Sequence, residues 1–314
     1  MKAIVITGPT ATGKTHLAVA LARRYGGEII SADSRQVYRR LDIGTGKDLQ
    51  GYSEGGATVP THLLDIVEPD EEFHLFRYLQ LAWQALEDVT ARGNLPFLVG
   101  GTPLYLNAIL DGYQLEGPPP DQARRQQLEL LDDTQLLQRL QELAPPELFA
   151  RTDKTQRRRI LRAVEMAEDL ASGRPAPVFP PGLDDYLILA PHYPRPIVHQ
   201  RIAERLDARL DQGLVEEVQG LLDEGVTPER LDWLGLEYRY VGKYLSGELT
   251  LPEMRDTLLA HIRQFCKRQD IWFRKMEREG KVIHWLAEGD FDQACVLIDK
   301  FLADNHQDNS IANR

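Results

Sequence analysis

A parallel α/β sheet joined by crossover helices is what three features of this sequence predict. Short apolar runs alternate with amphipathic stretches up to about residue 112, the pattern of strands linked by helices. Gly8-Pro-Thr-Ala-Thr-Gly-Lys-Thr15 directly follows the first of these runs, so a glycine-rich turn between strand and helix aims unpaired backbone N–H groups at an anion. A late apolar run at residues 187–190 offers a further strand after a helical excursion. Together they predict a P-loop NTPase-like parallel sheet core with an inserted helical lobe and a helical C-terminal region.

In chain order, the first strand is read at residues 3–6, and the helix after the phosphate loop carries Leu17, Leu21 and Tyr25 on one face. Lys14 is placed to reach a terminal phosphate and the Thr15 hydroxyl to hold Mg2+. An ordinary glycine turn would not account for a cation at a helix start, where the macrodipole disfavours it unless an anion lies between. Further strands are expected at residues 28–31, 63–67 and 95–99. Between the last two, Phe76, Leu79, Trp83, Leu86 and Val89 recur every three or four residues and predict a helix from about Phe73 to Arg92. Residues 1–114 are therefore read as the first part of the core. The break at Gly117-Pro-Pro-Pro120 opens an inserted lobe at 115–183, helical by period over 128–143 and 157–170, with a proline-rich exit at 173–182. Residues 184–303 are expected to complete the core and add helices near 197–211, 214–224, 237–245 and 252–278. In the last of these, Leu258, Ile262, Phe265, Ile271 and Phe273 form the packing face. Residues 304–314 are polar and read as a disordered tail.

The chain has 314 residues, room for a core and a second lobe, and its 42% hydrophobic and 27% charged content is that of an ordinary globular protein. Two widely separated cysteines, Cys266 and Cys295, exclude a disulfide framework or a zinc module and fit a reducing, cytoplasmic setting. The few residues before Gly8 are too short for a signal peptide or a membrane span, so no membrane partner is expected. A net charge of −11 argues against nucleic acid, yet the charge is unevenly distributed. Residues 151–162 hold six basic residues against one acid, and residues 263–281 hold seven against three. Taken alone, each cluster is equally an RNA or phosphate surface and a plain exposed face.

A nucleotide hydrolase needs an acid at a strand end for its metal. Here the run at 95–99 ends in Gly100-Gly101-Thr102, and Asp65 lies inside its own run, so energy coupling is not the expected use of the loop. The acid that does stand at a strand end is Asp33, in Ser31-Ala-Asp-Ser-Arg-Gln-Val-Tyr38. The carboxyl ends of parallel strands line a common crevice, which should bring Asp33, Thr102 and the phosphate loop face to face. Asp33 also has the bland reading of a helix cap.

These residues resemble a known family, the tRNA dimethylallyltransferases or tRNA isopentenyltransferases, from Lys2 to about Trp285. The resemblance is carried by the phosphate loop, Asp33-Ser-Arg-Gln36 with Tyr38, Asp42-Ile-Gly-Thr45, His62-Leu-Leu-Asp65 and Gly100-Gly-Thr-Pro-Leu-Tyr105. It continues through Gln156-Arg to Arg162-Ala, Arg201-Ile with Arg205, Gly213-Leu-Val-Glu-Glu-Val218, and Lys267-Arg-Gln269 with Trp272-Phe-Arg274. Each is weak alone; their order and spacing are specific. The resemblance implies transfer of a dimethylallyl group from its diphosphate to N6 of adenosine 37 beside the tRNA anticodon, giving N6-dimethylallyladenosine. By that likeness Gly8, Thr10, Ala11, Thr12, Gly13, Lys14 and Thr15 bind the diphosphate with Mg2+ at Thr15, and Arg201 adds charge. Asp33 takes the amine proton and Thr102 orients the amine or the base. Asp33, Ser34, Arg35, Gln36 and Thr102 would contact tRNA from the core, and Gln156, Arg157, Arg158, Arg159 and Ile160 from the helical lobe. Lys267, Arg268, Gln269 and Arg274 would hold its backbone from the C-terminal region.

Three departures from the commoner family pattern stand out. Leu234-Gly-Leu-Glu-Tyr-Arg-Tyr-Val241 occupies the place of a Gly-Tyr-[Arg/Lys] turn, Thr12 replaces a serine, and Pro103 follows Gly-Gly-Thr. The chain lacks a C-terminal Cys/His finger, in keeping with a bacterial type, and is expected to be a monomer. The competing readings are an adenylate isopentenyltransferase acting on free AMP, ADP or ATP, a P-loop kinase of a small metabolite, and a non-catalytic phosphate-loop RNA-binding protein. A free nucleotide needs neither the helical lobe nor the basic clusters.

Overall fold

The computed structural model describes residues 1–47, 49, 51–53, 56, 58–115 and 117–304; the tail expected from Asp304 onward lies, beyond that residue, outside them. Six parallel strands form one sheet: β1 (Lys2–Ile6), β2 (Gly27–Ser31), β3 (Thr61–His62), β4 (Leu95–Val99), β5 (Asp185–His192) and β6 (Ile283–Ala287). Their spatial order is β3-β2-β4-β1-β5-β6. Ile4, Val5 and Ile6 have no solvent exposure, because a central parallel strand is covered on both faces and is apolar throughout. The chain crosses to β2 and β4 on one side of β1 and to β5 on the other, which makes the end of β1 the point where the winding reverses and a ligand crevice opens.

Helices α1 (Lys14–Tyr25), α2 (Leu75–Ala91) and α3 (Pro103–Leu110) belong to the first part of the core. Within the insertion lie α4 (Gln122–Glu129), α5 (Asp133–Leu143), α6 (Pro146–Arg151) and α7 (Arg157–Ala171). The expected single helix over 128–143 is divided, because Asp132 opens a new helix with a reciprocal cap to Gln135. After β5 come α8 (Arg195–Asp211), α9 (Leu214–Asp223), α10 (Pro228–Leu234), α11 (Leu236–Leu245) and α12 (Leu251–Arg278). The chain continues through β6 to α13 (Phe291–Ala303). Neither β6 nor α13 is evident from sequence pattern. Once β5 is in place, Ile188 to His192 pair with Ile283 to Ala287, and Ala294, Cys295 and Ile298 join the cluster around Leu17 and Leu21.

The strand expected at 63–67 is not a strand. Only Thr61 and His62 pair with β2, while Leu63 and Asp65 take left-handed φ values of 64° and 52°, and Val67 makes one isolated bridge to Tyr38. The turn carries Asp65 to Lys47, whose side chain has 0% exposure and also bonds Asp42 at 2.9 Å. Asp65 is thus the counter-charge of a buried lysine.

Two compact units divide the chain: Gly112–Pro181, and the sheet domain formed by the segments on either side. In the smaller unit Leu128, Leu136, Leu140, Leu148, Ile160 and Val164 form the core. The side chain of Ile160, expected at the RNA, is 1% exposed and belongs to this core. Arg157, also expected at the RNA, donates to the carbonyl oxygens of Glu129 and Leu131 at 2.9 and 2.7 Å and pairs with Asp133, tying α7 to the turn between α4 and α5.

Glu28 of β2 is buried and receives Arg92 at 3.0 and 2.7 Å, Asn94 at 2.7 Å and His62 at 2.7 Å. Arg92 above all holds its carboxyl down at about 2, against an ordinary 4.5. A depressed folded-state value contributes stability that is complete above the unfolded pKa and is lost as pH falls toward about 2. Glu28→Ala should lower the unfolding free energy in urea by about 2 kcal/mol at pH 7, less than a fully buried pair because Arg92 is half in water. The difference from wild type should shrink between pH 4.5 and 2; a difference independent of pH would mean that packing, not charge, accounts for the loss.

Candidate active site

The phosphate loop leaves β1 through Gly8 (φ 135°) and enters α1 through Gly13 (φ 79°), with Ala11 also left-handed at 62°. Gly13 caps α1 without a side-chain bond, which leaves the helix's first N–H groups facing the crevice. Thr12, 2% exposed, donates its hydroxyl to the Pro9 carbonyl at 2.9 Å and so braces the loop from within. Lys14 folds over the loop to the same carbonyl, 2.6 Å away. Its pKa is pushed down to about 8, first by burial and then by Arg205, while Asp33 acts in the opposite sense. No carboxylate pairs with it among the described residues.

From α12, Gln269 accepts from Thr10 N at 2.9 Å and donates to the Gly101 carbonyl at 2.8 Å, locking the phosphate loop to the end of β4. Expected on a tRNA-facing surface, Gln269 is instead 4% exposed with its amide engaged inside the protein. The basic stretch around it divides. Arg268 stays exposed, while Lys267 and Arg274 line a cavity of about 630 Å³ together with Pro9, Thr12, Asp270 and Trp285. Burial raises the pKa of Asp270 and lifts the nearby Cys266 thiol to about 11, which keeps that sulfur protonated and inert.

Asp33 follows β2 and accepts from the backbone of Arg35 at 2.8 Å and, more weakly, Gln36 at 3.4 Å, both through Oδ1. The capping reading therefore describes one oxygen, and what it caps is a turn. Oδ2 accepts no hydrogen bond among the described residues. Ser34 N donates to the Thr102 hydroxyl at 3.1 Å, and Thr102 N donates to the Ala32 carbonyl at 3.2 Å. Asp33 and Thr102 are thereby brought together, as expected of strand ends. Pro103 sits at the first turn of α3, where its missing N–H costs nothing.

Three residues outside the expected site set shape the crevice. Arg205 and Arg209 of α8 lie beneath the turn at 42–46. A Cβ on Gly46, whose φ is 65°, would fall 1.9 Å from the Arg209 guanidinium. Arg209 is 5% exposed and donates to Glu237 at 3.0 Å. Water still reaches Arg205, but enclosing protein and then Arg209 push its pKa down to about 9. Glu217 of α9 accepts the N–H groups of Asp42, Ile43 and Gly44 at 2.9, 2.7 and 3.0 Å and the Tyr238 hydroxyl at 2.8 Å. The carbonyls of Thr45 and Gly46 in turn receive the Gln36 amide at 3.5 and 3.4 Å. The unusual Leu234 to Val241 segment is accounted for here: Glu237 and Tyr238 turn inward to Arg209 and Glu217. Arg201 lies 3.9 Å over the ring of Tyr193.

A family model described as IPP transferase matches residues 36–276, and one described as isopentenyl transferase matches residues 1–56. The chain belongs to the IPP transferase family. It is 48% identical over 289 residues to tRNA dimethylallyltransferase 1 of Geotalea uraniireducens, covering 92% of this chain and 93% of that protein. The full-length tRNA isopentenylpyrophosphate transferase of Bacillus halodurans matches with a TM-score of 0.68 at 32% identity, over 99% of this chain and 98% of that one. A eukaryotic dimethylallyltransferase, caught acting on tRNA, gives 0.74 at 25% identity over 93% and 75% of the two chains. The resemblance drawn from the sequence motifs is thus correct at the level of the family.

The lowered pKa of Lys14 has a measurable consequence. Its charge is present below about pH 8 and lost above it, and a bound anion draws the proton back. Inorganic pyrophosphate should therefore bind with proton uptake near pH 8.5, read by calorimetry in buffers of different ionisation enthalpy, and more weakly as pH rises through 8. Lys14→Met should show a smaller uptake; equal uptake in both proteins would assign the proton elsewhere.

Proposed function

We propose that the protein transfers the dimethylallyl group of dimethylallyl diphosphate to N6 of adenosine 37 in tRNA, releasing diphosphate. The observation that carries this reading is the convergence of two chemistries in one crevice. An anion loop with Lys14 and Arg205 meets Asp33, whose Oδ2 has no donor among the described residues, beside Thr102. As the allylic C–O bond breaks, its electron pair leaves with the diphosphate, whose growing charge is met by the loop N–H groups, Lys14 and Arg205. The N6 lone pair forms the new C–N bond, and the N6 proton passes to the Asp33 carboxylate. Thr102, fixed by Ser34, orients the base. The Thr15 hydroxyl makes no hydrogen bond among the described residues, and no cluster of three metal-binding side chains occurs among them. That fits Mg2+ arriving with the diphosphate, whose oxygens would supply most of its ligands; bound there, it would neutralise leaving-group charge.

Transfer to tRNA is favoured over transfer to free AMP by the match that extends through residues 36–276, and by the names of the relatives. In the helical lobe, Gln156, Arg158 and Arg159 are the exposed residues for the anticodon loop, Arg159 through a surface pair with Asp153 that water can open. The protein is proposed to act as a monomer. Both cysteines are unpaired, in keeping with the cytoplasm, and among the described residues no helix is long and apolar enough to cross a membrane.

Labelled dimethylallyl diphosphate with Mg2+ should mark bulk tRNA and leave AMP unmarked; label in AMP alone would overturn the acceptor. Asp33→Ala should slow single-turnover transfer by about 100- to 10,000-fold while tRNA affinity changes little, and a loss under about threefold would return Asp33 to capping. Arg158→Ala should raise the KM for tRNA and lower its salt slope by about 0.7 to 0.9. Arg157→Ala should act chiefly on thermal stability, through the lost ties to Glu129 and Leu131.

A further inference from the structure

Trp233 near the end of α10 is 38% exposed, an unusual position for an indole beside a polar crevice. The guanidinium of Arg230 stands 4.2 Å from its ring centroid and that of Arg35 4.8 Å. Tyr38 meets the indole at right angles, its centroid 5.9 Å away. The two arginines differ. Arg230 is anchored, its Nε donating to the Pro69 carbonyl at 2.6 Å and its Nη2 to that of Glu71. The Arg35 guanidinium has no hydrogen-bond acceptor and no carboxylate partner among the described residues, although it is half-buried. Its own backbone N–H is the one held by Asp33. A partly desolvated cation that no carboxylate pairs directly among the described residues thus lies against an exposed aromatic ring, two residues from the proposed base.

That pairing is the chemistry that receives an unstacked nucleotide, with a π face for the base and a guanidinium for the phosphate or for the other face of the ring. An adenosine drawn out of the anticodon loop leaves the neighbouring base without a stacking partner, and an indole can take its place. We propose that Trp233 and Arg35 form a docking platform for the nucleotide adjacent to the target adenosine, the indole stacking on its base and Arg35 bonding its phosphate. This rests on the tRNA reading above. Among the motifs that carry the family resemblance Trp233 has no place, since it falls just before the segment where this chain departs from the common pattern.

The test is a binding series with anticodon stem-loop RNAs that are intact or abasic immediately 5′ or 3′ of the target adenosine. Wild-type protein should bind one of the abasic RNAs about 5- to 150-fold more weakly than the intact one, the range of one base–aromatic stack. Trp233→Leu, which still covers the arginines but has no π face, should lose a similar factor on the intact RNA and nothing further on that abasic RNA. Trp233→Phe should recover most of the affinity. Wild-type binding indifferent to both abasic sites would overturn the platform without any variant. So would losses from Trp233→Leu and the abasic site that multiply, or a folded Trp233→Leu that binds as wild type. A wild-type protein that fails to label tRNA at all would instead bring down the parent reading, a result distinct from labelled tRNA bound independently of Trp233.

Discussion

At the carboxyl end of the sheet the backbone of β2 runs directly against that of β4: a methyl group at Gly100 would lie 2.2 Å from the carbonyl oxygen of Ala32. Only glycine permits this approach. Through it Asp33 comes beside Thr102, and Gln269 ties the next glycine to the phosphate loop. A Cβ at Gly101 would meet that same glutamine at 2.9 Å. The catalytic proposal depends on these contacts, because a base and an anion site act on one substrate pair only if backbone spacing brings both within reach.

Among the described residues, Lys14, Arg205 and Arg35 have no carboxylate in direct ion pairing, and Asp33 acts on all three only through its field. Lys14 is depressed in pKa by burial and then by Arg205, Arg205 by burial and then by Arg209, and Arg35 mainly by burial. Cations kept in this state destabilise the unliganded fold and are relieved when a diphosphate or an RNA phosphate arrives. Two buried charges elsewhere are directly paired. Lys47 has two carboxylates, and Glu28 has three donors. The contrast between satisfied and unsatisfied charge marks out the functional face more sharply than the count of basic residues does.

That contrast also sorts the two basic clusters. In the first, Arg157 closes a turn between helices and Ile160 fills the core, so the exposed charge reduces to residues such as Arg158. In the second, Gln269 braces the phosphate loop and Lys267 and Arg274 face the cavity beside it. A run of charges in sequence mixes positions on different faces of a helix, and the helix then assigns them to unrelated tasks.

The sequence by itself determined the phosphate loop, the strand-end aspartate, the glycine pair before Thr102 and the insertion, because each is a local requirement: a φ that only glycine adopts readily, an apolar run, a period of three and four. Only the tertiary structure decided which of these meet. The turn at 42–46 and the helix bearing Glu217 lie some 170 residues apart, yet one carboxylate gathers three N–H groups across that gap. The turn at Leu63 and Asp65 stands where a strand was expected and supplies a counter-charge to the buried Lys47. Strand β6 formed because β5 offered it an edge. Trp233 and Arg35, remote in sequence and in no shared motif, came together by packing. Local conformational preference is written in neighbouring residues, whereas burial and charge compensation depend on what the folded chain brings near, and that is set by the whole core.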